Sequence, residues 1–188
     1  MTFRTYACRC GLALATLLMC GGGYLGALQL TENFHEIIPG KFYRSAQPSP
    51  EALARYAKQY GIKTVINLRG ANPTSDWYQA EIAESEALGL THIDFRMSSR
   101  KQLTAEQSRA LVQVMRSAPG PILVHCQAGA DRTGLASVMY LQQIAGVDEE
   151  TAEWQLSPIY GHISLPFLSA YAMDDTWEAF EKLIGLPS

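Results

Sequence analysis

The rhythm of apolar and polar positions changes along this chain. From Lys41 onward, short apolar runs alternate with longer stretches in which apolar side chains recur every three or four residues. The short runs read as strands: Lys41 to Ser45 as a first, edge strand, then Thr64 to Leu68, Thr91 to Phe95 and Pro121 to Val124. The longer stretches read as helices with marked ends. Ser49 caps and Pro50 opens a helix whose apolar face is Leu53, Tyr56, Ala57 and Tyr60, and Gly61 stops it. Ser75 precedes a helix from Asp76 to Leu88. Thr104 and Gln107 form a capping box for a helix ending at Ser117. Thr133 opens a helix that ends at Gly146. Asp148 caps another over Glu149 to Leu156, and Leu165 to Ile184 forms the last. Strands alternating with helices predict an α/β fold: a central, largely parallel sheet of four to five strands flanked by helices.

The N-terminal pattern is different. Gly11 to Leu30 is uncharged and mostly apolar, and about 20 such residues can span a bilayer. Arg4 and Arg9 lie before it, Glu32 and Glu36 after it. The positive-inside rule then places the rest of the chain outside the cytoplasm. The leading reading of residues 1–30 is a single-pass inner-membrane signal anchor with a periplasmic domain. A signal peptide cleaved after Ala27, releasing a soluble periplasmic protein, is the alternative. A lipoprotein signal at Cys20 is disfavoured by Met19. Residues 31–40 read as a linker and 41–188 as one domain.

Cysteine usage agrees with this division. Cys8, Cys10 and Cys20 fall in the N-terminal segment, which leaves Cys126 alone in the domain with no internal disulfide partner. A formal net charge of -3 argues against nucleic acid as a partner.

The chemistry concentrates in Pro121 to Gly134, PILVHCQAGADRTG. A buried strand runs into a tight loop, and the loop runs into a helix N-terminus. Such an end carries unpaired N–H groups and partial positive charge, so it attracts anions. The loop over Gln127, Ala128, Gly129, Ala130 and Asp131 can turn its backbone N–H groups inward around a phosphate. Gly129 lets the backbone come close to the anion, and Arg132 offers a planar fork to two phosphate oxygens. Cys126 then lies beneath the phosphorus as a nucleophile, in surroundings that favour thiolates generally.

These residues resemble the cysteine-dependent phosphatases, the protein tyrosine phosphatases and their dual-specificity relatives. The signature HC-x5-R followed by Ser or Thr is matched by His125, Cys126, Arg132 and Thr133 without a gap. Rhodanese-type sulfurtransferases lack this pattern. With Tyr43 to Pro48 and Asn67 to Gly70, the resemblance extends over residues 41–145 to small bacterial dual-specificity-like phosphatases, including periplasmic ones. It implies a tyrosine phosphatase-like fold and a two-step reaction. Cys126 would take the phosphoryl group and water would hydrolyse the phosphocysteine. Arg132 and the loop N–H groups would bind the developing charge, Thr133 would stabilise the departing thiolate, and His125 would order the loop. It implies no cofactor and no metal. Neither do the His, Cys and carboxylate positions show metal-ligand spacing.

The general acid departs from the family pattern. The segment after Phe95 has no carboxylate before Glu106. Asp131, beside the phosphate site, is the first candidate, since a neighbouring dianion favours a protonated carboxyl. Myotubularins resemble this arrangement. Asp94 is the second, although strand alternation places it beside Arg96 for an ion pair. Arg69, at a strand's carboxyl end, is a candidate substrate contact, whereas Arg96, Arg100 and Lys101 read as surface charge. His162 reads as structural. The expected substrate is a phosphorylated protein, with phosphotyrosine leading. Phosphoinositides or inositol phosphates are the alternative, although Gln127 and Ala130 lack the lysines that polyanions favour. A non-catalytic phosphate-binding module is the third reading, against which the intact Cys126 and Arg132 speak.

Overall fold

A computed structural model of the chain describes residues 15, 16, 19 and 21–186. Five strands form one sheet: β1 (His35–Ile38), β2 (Phe42–Ser45), β3 (Thr64–Asn67), β4 (Thr91–Asp94) and β5 (Ile122–His125). Their spatial order is β1-β2-β5-β3-β4. All neighbours are parallel except β1, which runs antiparallel to β2. The expected largely parallel α/β sheet is therefore present.

The linker expected at 31–40 is in part a strand. β1 occupies the edge expected for β2, so β2 is internal. The pattern HEII is too short to announce itself. It is held by a tight turn at Gly40, whose φ is +69°, and by the Tyr43 hydroxyl. That hydroxyl donates to Glu36 Oε1 at 2.9 Å and accepts from Gly40 N at 2.8 Å.

Helix α1 (Pro50–Tyr60) starts where Ser49 accepts from Ala52 N at 3.1 Å and stops at left-handed Gly61. Helix α2 (Asp76–Ala87) begins after Ser75, although that hydroxyl makes no capping bond. The capping box of α3 (Ala105–Ser117) forms as expected. Helix α4 (Asp131–Tyr140) starts two residues before Thr133 and continues as a π-helical turn over Leu141–Ala145. Helix α5 (Glu149–Glu153) is shorter than its pattern suggests. Helix α6 (Ala172–Ile184) lacks the expected start at Leu165; only Ser169–Tyr171 forms a 3-10 turn ahead of it.

The sheet is covered on both faces, which is why β2, β3 and β5 are buried at every position. On one face Phe42, Val124 and Ile66 pack with Leu135 and Met139 of α4 and with residues of α3 and α6. On the other, Tyr43, Leu123 and Val65 lie in register and pack with Leu53 and Tyr56 of α1. Register also sets Ser45, His125, Asn67 and Asp94 side by side at the carboxyl ends of the parallel strands.

Residues 21–30 are helical, and Leu28 is buried against the domain. Among the described residues no helix is long and apolar enough to cross a membrane. Much of the expected membrane segment, with Arg4, Arg9, Cys8, Cys10 and Cys20, lies outside the described residues.

Candidate active site

The loop from Cys126 to Ala130 joins β5 to α4 at the carboxyl edge of the sheet, where ligands of open α/β sheets bind. Cys126 is 2% exposed, and its Sγ lies 4.0 Å from Thr133 Oγ1. Thr133 donates to Ala130 O at 3.3 Å and can turn the same proton toward sulfur.

Two of the loop's carbonyls, those of Gly129 and Ala130, are turned away from its cup by Arg44, a fully buried residue that sequence reading did not single out. Arg44 Nη2 donates to Gly129 O at 2.8 Å, to Ala130 O at 2.9 Å and to Thr133 Oγ1 at 3.2 Å. Nη1 donates to Gln155 O and Oε1, both at 2.9 Å, and the guanidinium stacks 4.2 Å from the Tyr160 ring. Burial brings its pKa down to about 10 although Tyr160, Cys126 and Asp131 favour the cation. With these carbonyls held outward, the backbone leaves its N–H groups available to an anion in the cup. Gly129 is also required by its own backbone and its neighbours. Its φ is +69°, and a Cβ there would stand 2.6 Å from Ala46 N and 2.7 Å from Ser45 C.

Two guanidinium groups converge on the cup. Arg132 reaches Met97 O from Nη1 at 3.5 Å, and its buried Nε has no partner. A buried donor left open costs free energy unless an acceptor arrives. Arg69 lies against the Trp77 ring at 3.5 Å and donates to Gln47 Oε1 at 2.7 Å. Burial, then the nearby Arg132 cation, lower its pKa, while Glu81 and Cys126 act oppositely.

Glu81 is a second residue that sequence reading missed. It is 2% exposed on α2. Its Oε1 accepts from His125 Nε2 at 3.1 Å and from His92 Nε2 at 2.7 Å, and its Oε2 accepts from Gln47 Nε2. Burial works to raise its pKa, but His125 foremost, with His92 and Gln47, holds it at about 2. His125 is thereby tied to the frame rather than pointed at the cup.

The two acid candidates part company. Asp131, in the first turn of α4, gives Oδ1 to His162 Nδ1 at 2.8 Å, and its side chain remains 28% exposed. Asp94 is consumed at the sheet edge, where Oδ1 accepts from Asn67 Nδ2 at 2.8 Å and Oδ2 from the Tyr78 hydroxyl at 2.5 Å. The expected Asp94–Arg96 pair is absent. Arg96 turns to Ala71 O instead, because Asn67 and Tyr78 already fill the carboxylate.

Away from the loop, Glu149, Glu153 and Glu181 bring carboxylate oxygens within 4.8 Å of one another. The spacing reading missed this group: Glu149 and Glu153 are one turn apart on α5, and only the fold brings Glu181 of α6 to them.

The sequence profile of the tyrosine phosphatase family matches residues 24–163. The dual specificity protein phosphatase TpbA of Pseudomonas aeruginosa is 31% identical over 121 residues, 64% of this chain and 51% of TpbA. The chain thus spans about half the length of the curated relatives it matches. The crystal structure of P. aeruginosa TpbA superposes with a TM-score of 0.60 at 21% identity, covering 80% of this chain and 91% of that one. The catalytic core of the PP-IP phosphatase SIW14 from S. cerevisiae superposes with a TM-score of 0.59 at 18% identity, covering 83% and 95%. Fold and signature loop thus define a cysteine-based, tyrosine phosphatase-like domain. The chain belongs to the tyrosine phosphatase family.

Proposed function

We propose that this chain is a phosphoric monoester hydrolase acting through a phosphocysteine on Cys126, with phosphotyrosine in protein as its leading substrate. The observation that carries this reading is the loop itself. Cys126 stands at the floor of a cup whose carbonyls are tied back by Arg44 and whose Arg132 holds a buried, unpartnered Nε. A dianion entering the cup meets inward N–H groups and the guanidinium of Arg132. The thiolate attacks phosphorus as the P–O bond breaks, and Asp131 gives the leaving oxygen a proton. In the second step Asp131 takes a proton from water as the S–P bond breaks, and Thr133 stabilises the released thiolate. TpbA has been solved in complex with pTyr, which supports the substrate class. Arg69, a second cation beside Arg132, favours inositol phosphates or phosphoinositides as a second reading.

The test is hydrolysis of p-nitrophenyl phosphate in the presence of chelator, beside Cys126→Ser. Activity that survives the chelator and is lost in the variant supports the phosphocysteine route. Phosphate release from a phosphotyrosine peptide against soluble inositol phosphates separates the two substrate readings. Asp131→Asn should slow a poor leaving group far more than an activated one. If Asp94→Asn shows that selectivity instead, the acid is Asp94.

Location is part of the same proposal. Residues 1–30 anchor the chain in the inner membrane with the domain in the periplasm, as the apolar stretch and its charge flanks suggest. Protease protection in spheroplasts checks it: a domain that stays protected when the outer face is exposed overturns the orientation.

A further inference from the structure

His162 lies outside the signature yet is fully buried beside it. It sits between two carboxylates. Nδ1 faces Asp131 Oδ1 at 2.8 Å and Nε2 faces Asp174 Oδ2 at 2.9 Å. Asp174, on α6, is itself fixed, since Ser164 Oγ donates to its Oδ1 at 2.7 Å. The charged groups facing this imidazole are Asp131 from α4 and Asp174 from α6. Beyond them, the Arg44 cation is close enough to Asp131 to sense its charge. Burial alone would discharge the ring, but hydrogen bonds and charge from both carboxylates raise its pKa to about 9. Whenever Asp131 is ionised, both ring nitrogens therefore carry protons at neutral pH, one donated to each carboxylate.

The consequence falls on Asp131. Its Oδ1 is occupied by His162, whereas no hydrogen bond to its Oδ2 is found among the described residues. One oxygen is held and the other remains to carry a proton. We propose that His162, clamped by Asp174, is a positioning residue for catalysis that fixes the Asp131 carboxyl and balances the negative charge it acquires on giving up its proton. This inference rests on the phosphatase reading with Asp131 as the acid. In the first step the S–P bond forms, the P–O bond breaks and the Asp131 Oδ2 proton passes to the leaving oxygen. Asp131 is left as a carboxylate against the His162 cation. In the second step Asp131 recovers a proton from water as the S–P bond breaks. Protons and charge balance over the cycle with no other reagent.

The experiment compares p-nitrophenyl phosphate with phenyl phosphate, whose leaving group needs the proton more. It uses the full chain, Cys126→Ser, His162→Gln, Asp174→Asn, Asp131→Asn and the His162→Gln/Asp131→Asn double variant. For His162→Gln, kcat on phenyl phosphate should fall about 10- to 100-fold, part of the range of a general acid. The activated ester should change several-fold at most. Asp174→Asn keeps shape but removes charge, and should show the same selectivity at smaller size. The double variant should be no slower than Asp131→Asn, because His162 acts through that carboxyl. Equal losses on both esters, or losses that add to those of Asp131→Asn, overturn the clamp while leaving the phosphatase reading intact. Wild-type inactivity on both esters overturns the phosphatase reading and this inference with it. If His162→Gln is unfolded by thermal denaturation, the outcome is read from Asp174→Asn, where leaving-group selectivity supports and its absence refutes.

Discussion

Arg44 Nη2 and Gly129 O meet at 2.8 Å, 85 residues apart in sequence and wholly out of water. The contact ties a strand of the sheet's interior to the outer side of the phosphate loop. A guanidinium in that position is costly to bury, and it is accepted here because five hydrogen bonds and one ring face receive it. The gain is directional. Carbonyls that would repel an anion are turned into the protein, and the loop is preorganised for charge before any ligand arrives.

Arg44→Lys should therefore damage both stability and rate. An ammonium keeps the charge but cannot span Gly129, Ala130 and Gln155 at once. Buried carbonyls left unpaired cost ~1–3 kcal/mol each. For a chain this size a loss of ~3 kcal/mol lowers Tm by ~6–12 °C. Below that transition, kcat on p-nitrophenyl phosphate should fall by about 10-fold or more, toward the ~10²–10³-fold lost when one oxyanion donor is removed. A variant that melts earlier but turns over at the wild-type rate would separate the tether from the orientation of the N–H groups.

Glu81 predicts an acid limb to stability. Its folded pKa of about 2 lies below the ordinary carboxylate value of ~4.3. The stability it contributes is thus present above ~4.3 and is lost as pH falls toward 2. Glu81→Gln removes that contribution and leaves His125 and His92 with a neutral acceptor. Breaking such a buried pair costs ~3–5 kcal/mol. Wild type should melt higher than the variant at pH 7, and the gap should close between about pH 4 and pH 2. A gap that stays constant with pH would assign the loss to packing.

What the sequence discloses and what it hides follow from distance along the chain. Cys126, Arg132, Thr133 and Gly129 fall within one short loop, so their arrangement is local and readable. The capping box at Thr104 and the stops at Gly61 and Gly146 are local too, and all form. Arg44, Glu81 and Asp174 reach the site only through the folded sheet and helices. Glu81 is one of several acids on α2, a helix whose buried positions are Glu81 and Ser85 rather than an apolar stripe. Periodicity cannot mark such a face. His162 follows a short 3-10 turn and shows no pattern at all, and its place between Asp131 and Asp174 arises from tertiary packing.

Arg69 should govern binding more than turnover. Its guanidinium is held by Trp77 and Gln47 at the mouth, beside Arg132. Arg69→Ala removes a cation that substrate and transition state meet alike, which raises KM and leaves kcat little changed. An increase of about 10-fold in KM corresponds to ~1.4 kcal/mol, close to the lower end of the ~1.5–3 kcal/mol of one charged hydrogen bond. Trp77→Ala should give a smaller change in the same direction, because it loosens the arginine without deleting it. A fall in kcat with KM unchanged would place Arg69 at the transition state instead.

Glu181 predicts the opposite pH behaviour from Glu81. It is 2% exposed on α6, and burial first, then Glu153 and Glu149, push its carboxyl up to about 8. The folded chain therefore holds this proton more tightly than the unfolded chain, where a glutamate titrates near ~4.3. The stability so gained is full below ~4.3 and is lost as pH rises through 8. Glu181→Gln keeps the shape and a donor while removing the ionisation. At pH 5 the two proteins should melt within about 2 °C of each other, a spread of under ~1 kcal/mol for a chain this size. At pH 9 the variant should melt higher, because wild type must then bury a carboxylate beside two others. Scanning calorimetry across that interval reads the difference directly, and parallel curves would show that the three glutamates do not share a proton.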